Sequence, residues 1–277
     1  MALPAVLLFF VFHTLPALQG VFYSFTSSRG FGAWEFVGLD NYVRLFSDPV
    51  VLNSYKFTIG FAIVATVLAN VVALLIAVGL TARIRFRSFL RGVFFLPAVL
   101  ATLVIGYIFT FLFGNAVPPV GQALGIDALS TNILGNPSLA WVGVVVVTVW
   151  HGAATTIVIY MAGLQTVPED VTEAAMIDGA GPWARFWRIT FPLLAPFFTV
   201  NMVLSLKNFL MVFDQIVALT AGGPGTATTS ISLLIYTKGF TGGQFAYQSA
   251  NAVLYFLVIA LLSVTQLRFL RKREVSA

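Results

Sequence analysis

A lysine and an aspartate interrupt a long apolar segment of the sequence, and the position of two charges there needs a physical reason. Lys207 and Asp214 are seven residues apart within 193–219, which we predict to be one membrane-spanning helix. A charge near the centre of such a helix costs roughly 2.5–3.5 kcal/mol on insertion scales, so both side chains should face a partner helix or a wet cavity. The spacing puts them on one face about 10 Å apart, which is long for a direct ion pair. Further polar residues lie nearby: Asn201, Ser205 and Asn208.

Residues for covalent, metal or nucleotide chemistry are scarce. A phosphate-binding P-loop needs GxxxxGK followed by Ser or Thr, a serine nucleophile elbow needs GxSxG, and the sequence contains neither. The two histidines, His13 and His151, are far apart, and we interpret His151 as a packed, hydrogen-bonded side chain. The absence of cysteine excludes a thiol nucleophile and a cysteine-ligated metal. We therefore predict that the chain is not an enzyme, binds no metal, and carries no energy source of its own.

A polar stretch, QTVPEDVTEAAMIDGAGPWARFWRITFP (165–192), separates two apolar runs. The proline and two acidic residues at 168–170 favour the start of a helix. Ala174 and Ala175 then present a small, smooth surface. Two interpretations stay open. The stretch is an amphipathic linker at the membrane interface, or its small residues permit close approach by another protein.

The same stretch should contain a turn between two short helices. Gly179 and Gly181 break the first helix, and Pro182 starts the second. Asp178 is placed where it could cap that second helix.

The elements that position these residues follow from composition. Hydrophobic residues make up 59% of the 277 residues, charged residues 9%, and the mean hydropathy is +0.95, whereas soluble domains average about 25% charged. Several charge-free runs exceed the roughly 20 residues that cross a bilayer as a helix. We predict an all-α membrane protein, a single domain over 1–277, with six transmembrane helices. Their predicted bounds are about 2–24, 57–81, 92–114, 139–164, 193–219 and 246–267.

The basic residues predict the orientation of these helices, because cytoplasmic loops carry an excess of Lys and Arg. Ten of the fifteen basic residues share one side: Arg83, Arg85, Arg87, Arg91, Arg185, Arg188, Arg268, Arg271, Lys272 and Arg273. Four lie on the other side: Arg29, Arg44, Lys56 and Lys238. We predict that both termini are cytoplasmic, in a multi-pass protein of the cell membrane. The net charge of +5 therefore reflects topology and lipid contact rather than nucleic acid.

The first apolar segment, 2–24, could also be a secretory signal peptide. Such peptides begin with positive charge, and no basic residue precedes Leu3. We therefore expect a membrane helix, and a natural start further upstream is an open alternative.

At residues 173–192 the sequence resembles a known motif. Glu173-Ala174-Ala175, then Gly179, Ile189 and Pro192, match EAA-x3-G-x9-I-x-L-P, with Phe191 in place of leucine. This is the EAA loop of permeases in binding-protein-dependent ABC importers, here in a form similar to the carbohydrate branch. Two further stretches resemble maltose- and multiple-sugar-type permeases: FVGLDNYVRLFSDP (36–49) and FDQIVALTAGGPGTAT (213–228).

The resemblance implies the type I importer permease fold and a set of partners. The EAA loop of that family docks on a separate ATPase dimer, which holds ATP and magnesium, so no cofactor is expected in this chain. Carried over, the contact residues are Glu173, Ala174, Ala175, Asp178, Gly179 and Pro182. A second permease, in a heterodimer, and an extracytoplasmic solute-binding protein complete the assembly, which would import a sugar, such as a di- or oligosaccharide.

For the substrate path, the resemblance directs attention to polar and aromatic residues in the predicted helices. The candidates are Asn201, Ser205, Lys207, Asn208, Asp214, Trp150, Tyr160, Asn251 and Tyr255. The alternative for all of them is structural, as packing or interhelical hydrogen bonds. Two other functions stay open from the residues alone: a solitary secondary transporter or channel, and a membrane scaffold without a transport path.

Overall fold

The computed structural model describes residues 3–82 and 85–271. Within them the chain is helical apart from turns, loops and one isolated antiparallel bridge between Thr26 and Phe36. Six helices in this described part are long and apolar enough to cross a membrane: α1 (Leu3–Tyr23), α2 (Pro49–Thr81), α3 (Thr102–Leu124), α4 (Ala140–Gln165), α5 (Pro182–Leu210) and α6 (Phe245–Arg271). Arg83, Lys272 and Arg273, which entered the prediction of orientation, lie outside the described residues.

The centre of the fold is the contact between α2 and α4, with α5 packed on both. A stripe of alanines on α2 is completely buried, at spacings of three and four residues: Ala62, Ala65, Ala69, Ala73 and Ala77. Small residues at helical spacing let two backbones approach closely, which is how membrane helices gain packing energy without a hydrophobic driving force. The large outward-facing side chains of the bundle are apolar and exposed, as a bilayer requires.

The second helix begins eight residues earlier than the predicted start at 57. Asp48 is its N-cap and accepts hydrogen bonds from the backbone N–H groups of Val50 and Val51, and Pro49 occupies the first helical position. Aspartate followed by proline is a strong helix start. The prediction was wrong because Lys56 interrupts the charge-free run, although its side chain is exposed.

The third predicted helix, 92–114, is two helices. One runs over Arg87–Val99, and α3 begins at Thr102 after two residues with extended backbone. Pro97 lies in the last turns of the first helix and removes one backbone donor. The helix α3 continues ten residues past the predicted end, through a π-helical turn at Leu112–Ala116, and stops at Gly125 with φ +66°. Pro118 and Pro119 fall in the first turn after that π-helical turn, where prolines are tolerated.

The bounds predicted for the fifth helix, 193–219, are also wrong at both ends. A π-helical turn at Phe186–Thr190 joins the predicted second short helix to the membrane span, so α5 starts at Pro182. Its other end is Leu210, and a separate helix spans Asp214–Leu219.

Candidate functional site

A polar cavity lies beside the break between α5 and the helix Asp214–Leu219. Its volume is about 450 Å³, within the range of ligand pockets. Residues from α4 and α5 form most of its wall, and Gln215 closes it at the break. The polar residues lining it are Thr148, His151, Thr155, Thr156, Asn201, Ser205, Asn208 and Gln215.

Two hydrogen bonds fix the polar groups of this cavity. The Asn201 side-chain N–H₂ donates to the Thr156 carbonyl oxygen at 3.2 Å, and Asn201 is almost fully buried. The Gln215 Nε2 lies 3.3 Å from the His151 Nδ1. His151 is eleven residues from the start of α4 and fourteen from its end, about 17 and 21 Å along the axis. The cavity is therefore near the middle of the span.

Side chains from distant segments stabilise the end of α5. The carbonyl oxygen of Leu210 accepts a hydrogen bond from the Tyr255 hydroxyl of α6. The Ser230 hydroxyl donates to the Val212 carbonyl oxygen at 3.0 Å. These bonds satisfy helix-end carbonyls that would otherwise be unpaired. Irregular backbone at membrane depth is tolerated where it is buried in protein or lines a polar cavity, and Val212 of this break is buried and lines the polar cavity.

Three of the predicted path residues come together in this cavity: Asn201, Ser205 and Asn208. Lys207 and Asp214 do not line it, and both side chains are exposed on the single subunit. The assumption of one continuous helix was wrong, since Lys207 lies in the last turn of α5 and Asp214 in the first turn of the next helix. Each charge suits the helix end that carries it, because the macrodipole favours cations at C-termini and anions at N-termini.

The four other candidates do not line the cavity and lie in contacts between helices. Tyr160 is fully buried, and its hydroxyl donates to the Asn70 side-chain oxygen at 2.7 Å. Trp150 is 41% exposed and contacts the ring of Phe109.

The remaining two are on α6. Asn251 accepts a hydrogen bond from the Tyr55 hydroxyl and donates one to Gln248. Tyr255 bonds the end of α5, as described above.

Sequence reasoning missed the cavity residues on α4. Thr148, His151 and Thr155 are spaced three and four apart in a mostly apolar helix, which places them on one face. Asn201, Ser205 and Asn208 repeat that spacing on α5. Two matching polar stripes are the pattern that could have identified the cavity. Gln215 could not have been found this way, because it reaches the cavity only through the break.

The segment between α4 and α5, residues 166–181, forms the second candidate site, and we name it the coupling segment. Its helix spans Glu169–Ile177, and Pro168 is the N-cap. The Gly179 N–H donates to the Met176 carbonyl at 3.0 Å, and the Ala180 N–H donates to the Ala175 carbonyl at 2.9 Å. Together with φ +79° at Gly179, these bonds define a Schellman motif.

Asp178 lies at the C-terminal end of the first short helix, whereas we predicted that it caps the start of the second. It is the C-cap of the helix Glu169–Ile177, whereas Gly181 is the N-cap before Pro182 and makes no side-chain capping bond. The Schellman turn sets this register, because it places Gly179 immediately after the C-cap.

Several apolar side chains of the coupling segment and the start of α5 point into open space. Ile177 is 87% exposed, Trp183 76% and Met176 50%. Glu173 and Ala174 are exposed as well, while Ala175 is buried. Exposed large apolar groups beside small ones are typical of a surface that another protein covers. The structure therefore presents five of the six predicted contact residues outward, all except Ala175.

Comparison with known proteins identifies the family. Residues 69–275 match the family described as binding-protein-dependent transport system inner membrane component. The chain belongs to this family. It is thus a multi-pass membrane transport component rather than an enzyme, and a solitary secondary transporter is excluded.

Two relatives of this family member match over nearly its full length. The multiple sugar-binding transport system permease protein MsmF of Streptococcus mutans is 39% identical, covering 96% of this chain and 92% of that protein. The probable starch degradation products transport system permease protein AmyD of Thermoanaerobacterium thermosulfurigenes is 38% identical, with coverages of 98% and 93%. These matches confirm the resemblance found in the sequence.

A solved structure confirms the type I permease fold. A bacterial ABC transporter involved in the import of the acidic polysaccharide alginate matches with a TM-score of 0.85 at 22% identity, covering 98% of this chain and 94% of that chain. A second structure of an alginate ABC transporter, in complex with an alginate pentasaccharide-bound periplasmic protein, gives a TM-score of 0.87 at 21% identity.

Proposed function

We propose that this permease imports an uncharged sugar, such as a di- or oligosaccharide, delivered by a solute-binding protein. The observation that carries the proposal is the chemistry of the polar cavity. Its described lining offers amide, imidazole and hydroxyl groups but no Asp, Glu, Lys or Arg. Uncharged hydrogen-bonding groups match the hydroxyls of a neutral sugar, whereas an anionic solute would need cationic partners.

The names of the relatives describe different solutes, and one of these solutes carries a phosphate. The chemistry of the cavity helps to choose among them. MsmF and AmyD are named for sugars and starch products. A relative from Brucella abortus, 34% identical, is named as an sn-glycerol-3-phosphate permease. Lys207 is the nearest cation on α5, but it does not line the cavity. The sugars and starch products named for the first two relatives are therefore the better guide to this chain.

The coupling segment supports an ATPase partner. Its Glu173, Ala174 and Gly179 are exposed on a helix and the turn that follows it, with Ile177 exposed beside them. In the proposed mechanism, ATP and magnesium bind to a separate ATPase dimer, whose closure draws two coupling segments together. The segment is joined directly to α4 and α5, which wall the cavity, so its movement would switch the side from which the cavity opens.

The exposed charge of Lys207 supports a second permease. Phe209 contacts the region of Gly152, next to His151, at the middle of α4, so Lys207 lies at similar depth. A lysine exposed to hydrocarbon there would be costly. We therefore infer that a second, homologous permease or the wet path between the two covers it, in a heterodimer. The excess of basic residues on one side supports a cytoplasmic position for both termini, and in this proposal the binding protein docks on the opposite loops.

The experiment is to tag the C-terminus, solubilise native membranes gently, and identify the proteins that co-purify. We expect a P-loop ATPase, a second six-helix permease and a binding protein, which would then be screened against neutral and anionic sugars. A binder specific for a sugar acid or sugar phosphate would overturn the proposed substrate class. Isolation of the chain without an ATPase would overturn the proposed assembly.

A further inference from the structure

An apolar groove, separate from the polar cavity, lies between the helix Arg87–Val99 and the half of α4 that leads to the coupling segment. Its volume is about 450 Å³. Phe94 and Phe95 form one wall, and Ile157 and Met161 belong to the other. The groove therefore offers a long apolar surface at one end of the bundle.

The guanidinium of Arg91 lines this groove, and one of its hydrogen-bond donors is unpaired in the described structure. The Nε of Arg91 is buried and has no hydrogen-bond partner among the residues that the structure describes. A buried polar group without a partner is costly, and more so when it is charged. An acceptor from outside the subunit would remove that cost.

A second cavity, of about 620 Å³, adjoins the groove, because Gln165 lines both. Arg185 lines this second cavity, and its Nε is also buried without a partner in the described part of the chain. Arg87 lines it too and donates through its Nε to the Leu80 carbonyl oxygen at 2.6 Å. Glu169 is the one acid among the described residues of its lining. The pair of cavities thus combines a long apolar wall with an excess of guanidinium groups.

The helix Arg87–Val99 is oriented for lipid contact. Phe89, Val93, Leu96 and Val99 are exposed along it, and its arginines lie toward its beginning. A helix with basic residues at one end and apolar residues beyond them is suited to the boundary between headgroups and hydrocarbon.

We propose that an anionic phospholipid occupies this groove. An acyl chain lies against Phe94 and Ile157, and the phosphate accepts hydrogen bonds from Arg91 and Arg185. Free phosphate shares the headgroup chemistry, but it would leave the apolar walls unused. The occupant is therefore a lipid that presents both an acyl chain and a negative charge, and its headgroup lies where the coupling segment joins the membrane.

The test uses the assembled importer in nanodiscs of phosphatidylcholine doped with photoactivatable phosphatidylglycerol, and maps the cross-links by mass spectrometry. Arg91→Gln removes the charge. Gly92→Leu adds a bulky side chain at the lining of the groove, and it should not disturb the fold because a Cβ at Gly92 meets nothing within 4 Å. The matched controls are Arg268→Gln, an exposed arginine near the end of α6, and Gly79→Leu, whose Cβ also meets nothing within 4 Å.

We expect cross-links on 87–99 and 154–165 in the wild type. Each groove variant should lower their yield, by about fivefold for Arg91→Gln, because one basic residue at an anionic surface contributes about that factor. The controls should leave the yield unchanged. Equal labelling by photoactivatable phosphatidylcholine, displacement by soluble glycerol phosphate, or no labelling of the groove in the complex would each overturn the proposal. So would a yield that neither groove variant lowers.

Discussion

The conformation of Gly179 leads to a test of the coupling segment that separates backbone geometry from side-chain bulk. Its φ of +79° places it in the left-handed region, and a Cβ built on it meets nothing within 4 Å. Gly179→Ala therefore adds no clash inside the subunit. The cost is confined to the backbone, about 1–2 kcal/mol for a left-handed residue with a Cβ.

That cost predicts the size of the effect. The ratio of the native Schellman turn to its alternatives should fall by about 5–30-fold. If the ATPase docks on the native turn, the amount of ATPase that co-purifies with the tagged permease should fall by up to that factor. The quantity of permease in the membrane should not change.

Two further variants identify the cause. Gly181→Ala adds the same methyl group two residues away, but Gly181 has an ordinary φ of −67°, so its ATPase ratio should stay near that of the wild type. Gly179→Asn is bulkier, yet asparagine adopts the left-handed region more readily, so it should retain more ATPase than Gly179→Ala. Equal behaviour of Gly179→Ala and Gly181→Ala would refute the reasoning from the turn. Loss in Gly179→Asn as severe as in Gly179→Ala would show that side-chain bulk matters instead.

Three other substitutions test the fold and the cavity. Tyr160→Phe leaves the side-chain oxygen of Asn70 without its donor and should destabilise the subunit by about 0.6–1.7 kcal/mol, seen as a lower Tm with unchanged substrate affinity; an altered affinity would contradict its structural role. Gly106→Leu forces a side chain against Ala218, where a Cβ already collides. It should lower the free energy of unfolding by about 1–3 kcal/mol, measured as loss of folded protein in detergent. A yield equal to that of the wild type would show that α3 and the helix Asp214–Leu219 separate readily. Gln215→Leu removes a hydrogen-bonding group from the cavity and should raise the KM for sugar uptake by about 2–10-fold; an unchanged KM would exclude this cavity from the substrate path.

Hydropathy sufficed for the number and approximate position of the membrane helices, because each span needs a long apolar run whatever it packs against. Its errors fell where a boundary depends on one residue. Lys56 hid the beginning of α2, although Asp48 and Pro49 together mark that beginning. Charge content measures compatibility with lipid, whereas capping residues set helix ends.

The EAA loop was recognised from its spacing, and the structure supplies a physical reason for one part of that spacing. The glycine of the motif stands immediately after the C-cap, where a left-handed residue closes the Schellman turn. The left-handed backbone at this position is thus a sufficient reason for a glycine at 179. The outward direction of Ile177 depends on how the segment sits on α4 and α5, and the linear pattern carries no information on that.

The break after Leu210 explains why local sequence patterns could not predict the complete cavity. The run from 193 to 219 contains nothing that must end a helix near 211, so its periodicity favours a continuous span. The break is stabilised by Tyr255 and Ser230, whose hydroxyls take up the carbonyl groups released at the end of α5. Because of the break, Gln215 reaches His151, and Lys207 and Asp214 acquire helix ends instead of facing each other along one helix. The same two hydroxyls therefore stabilise the break beside which the cavity and both charges lie, and Tyr255 does so without lining the cavity.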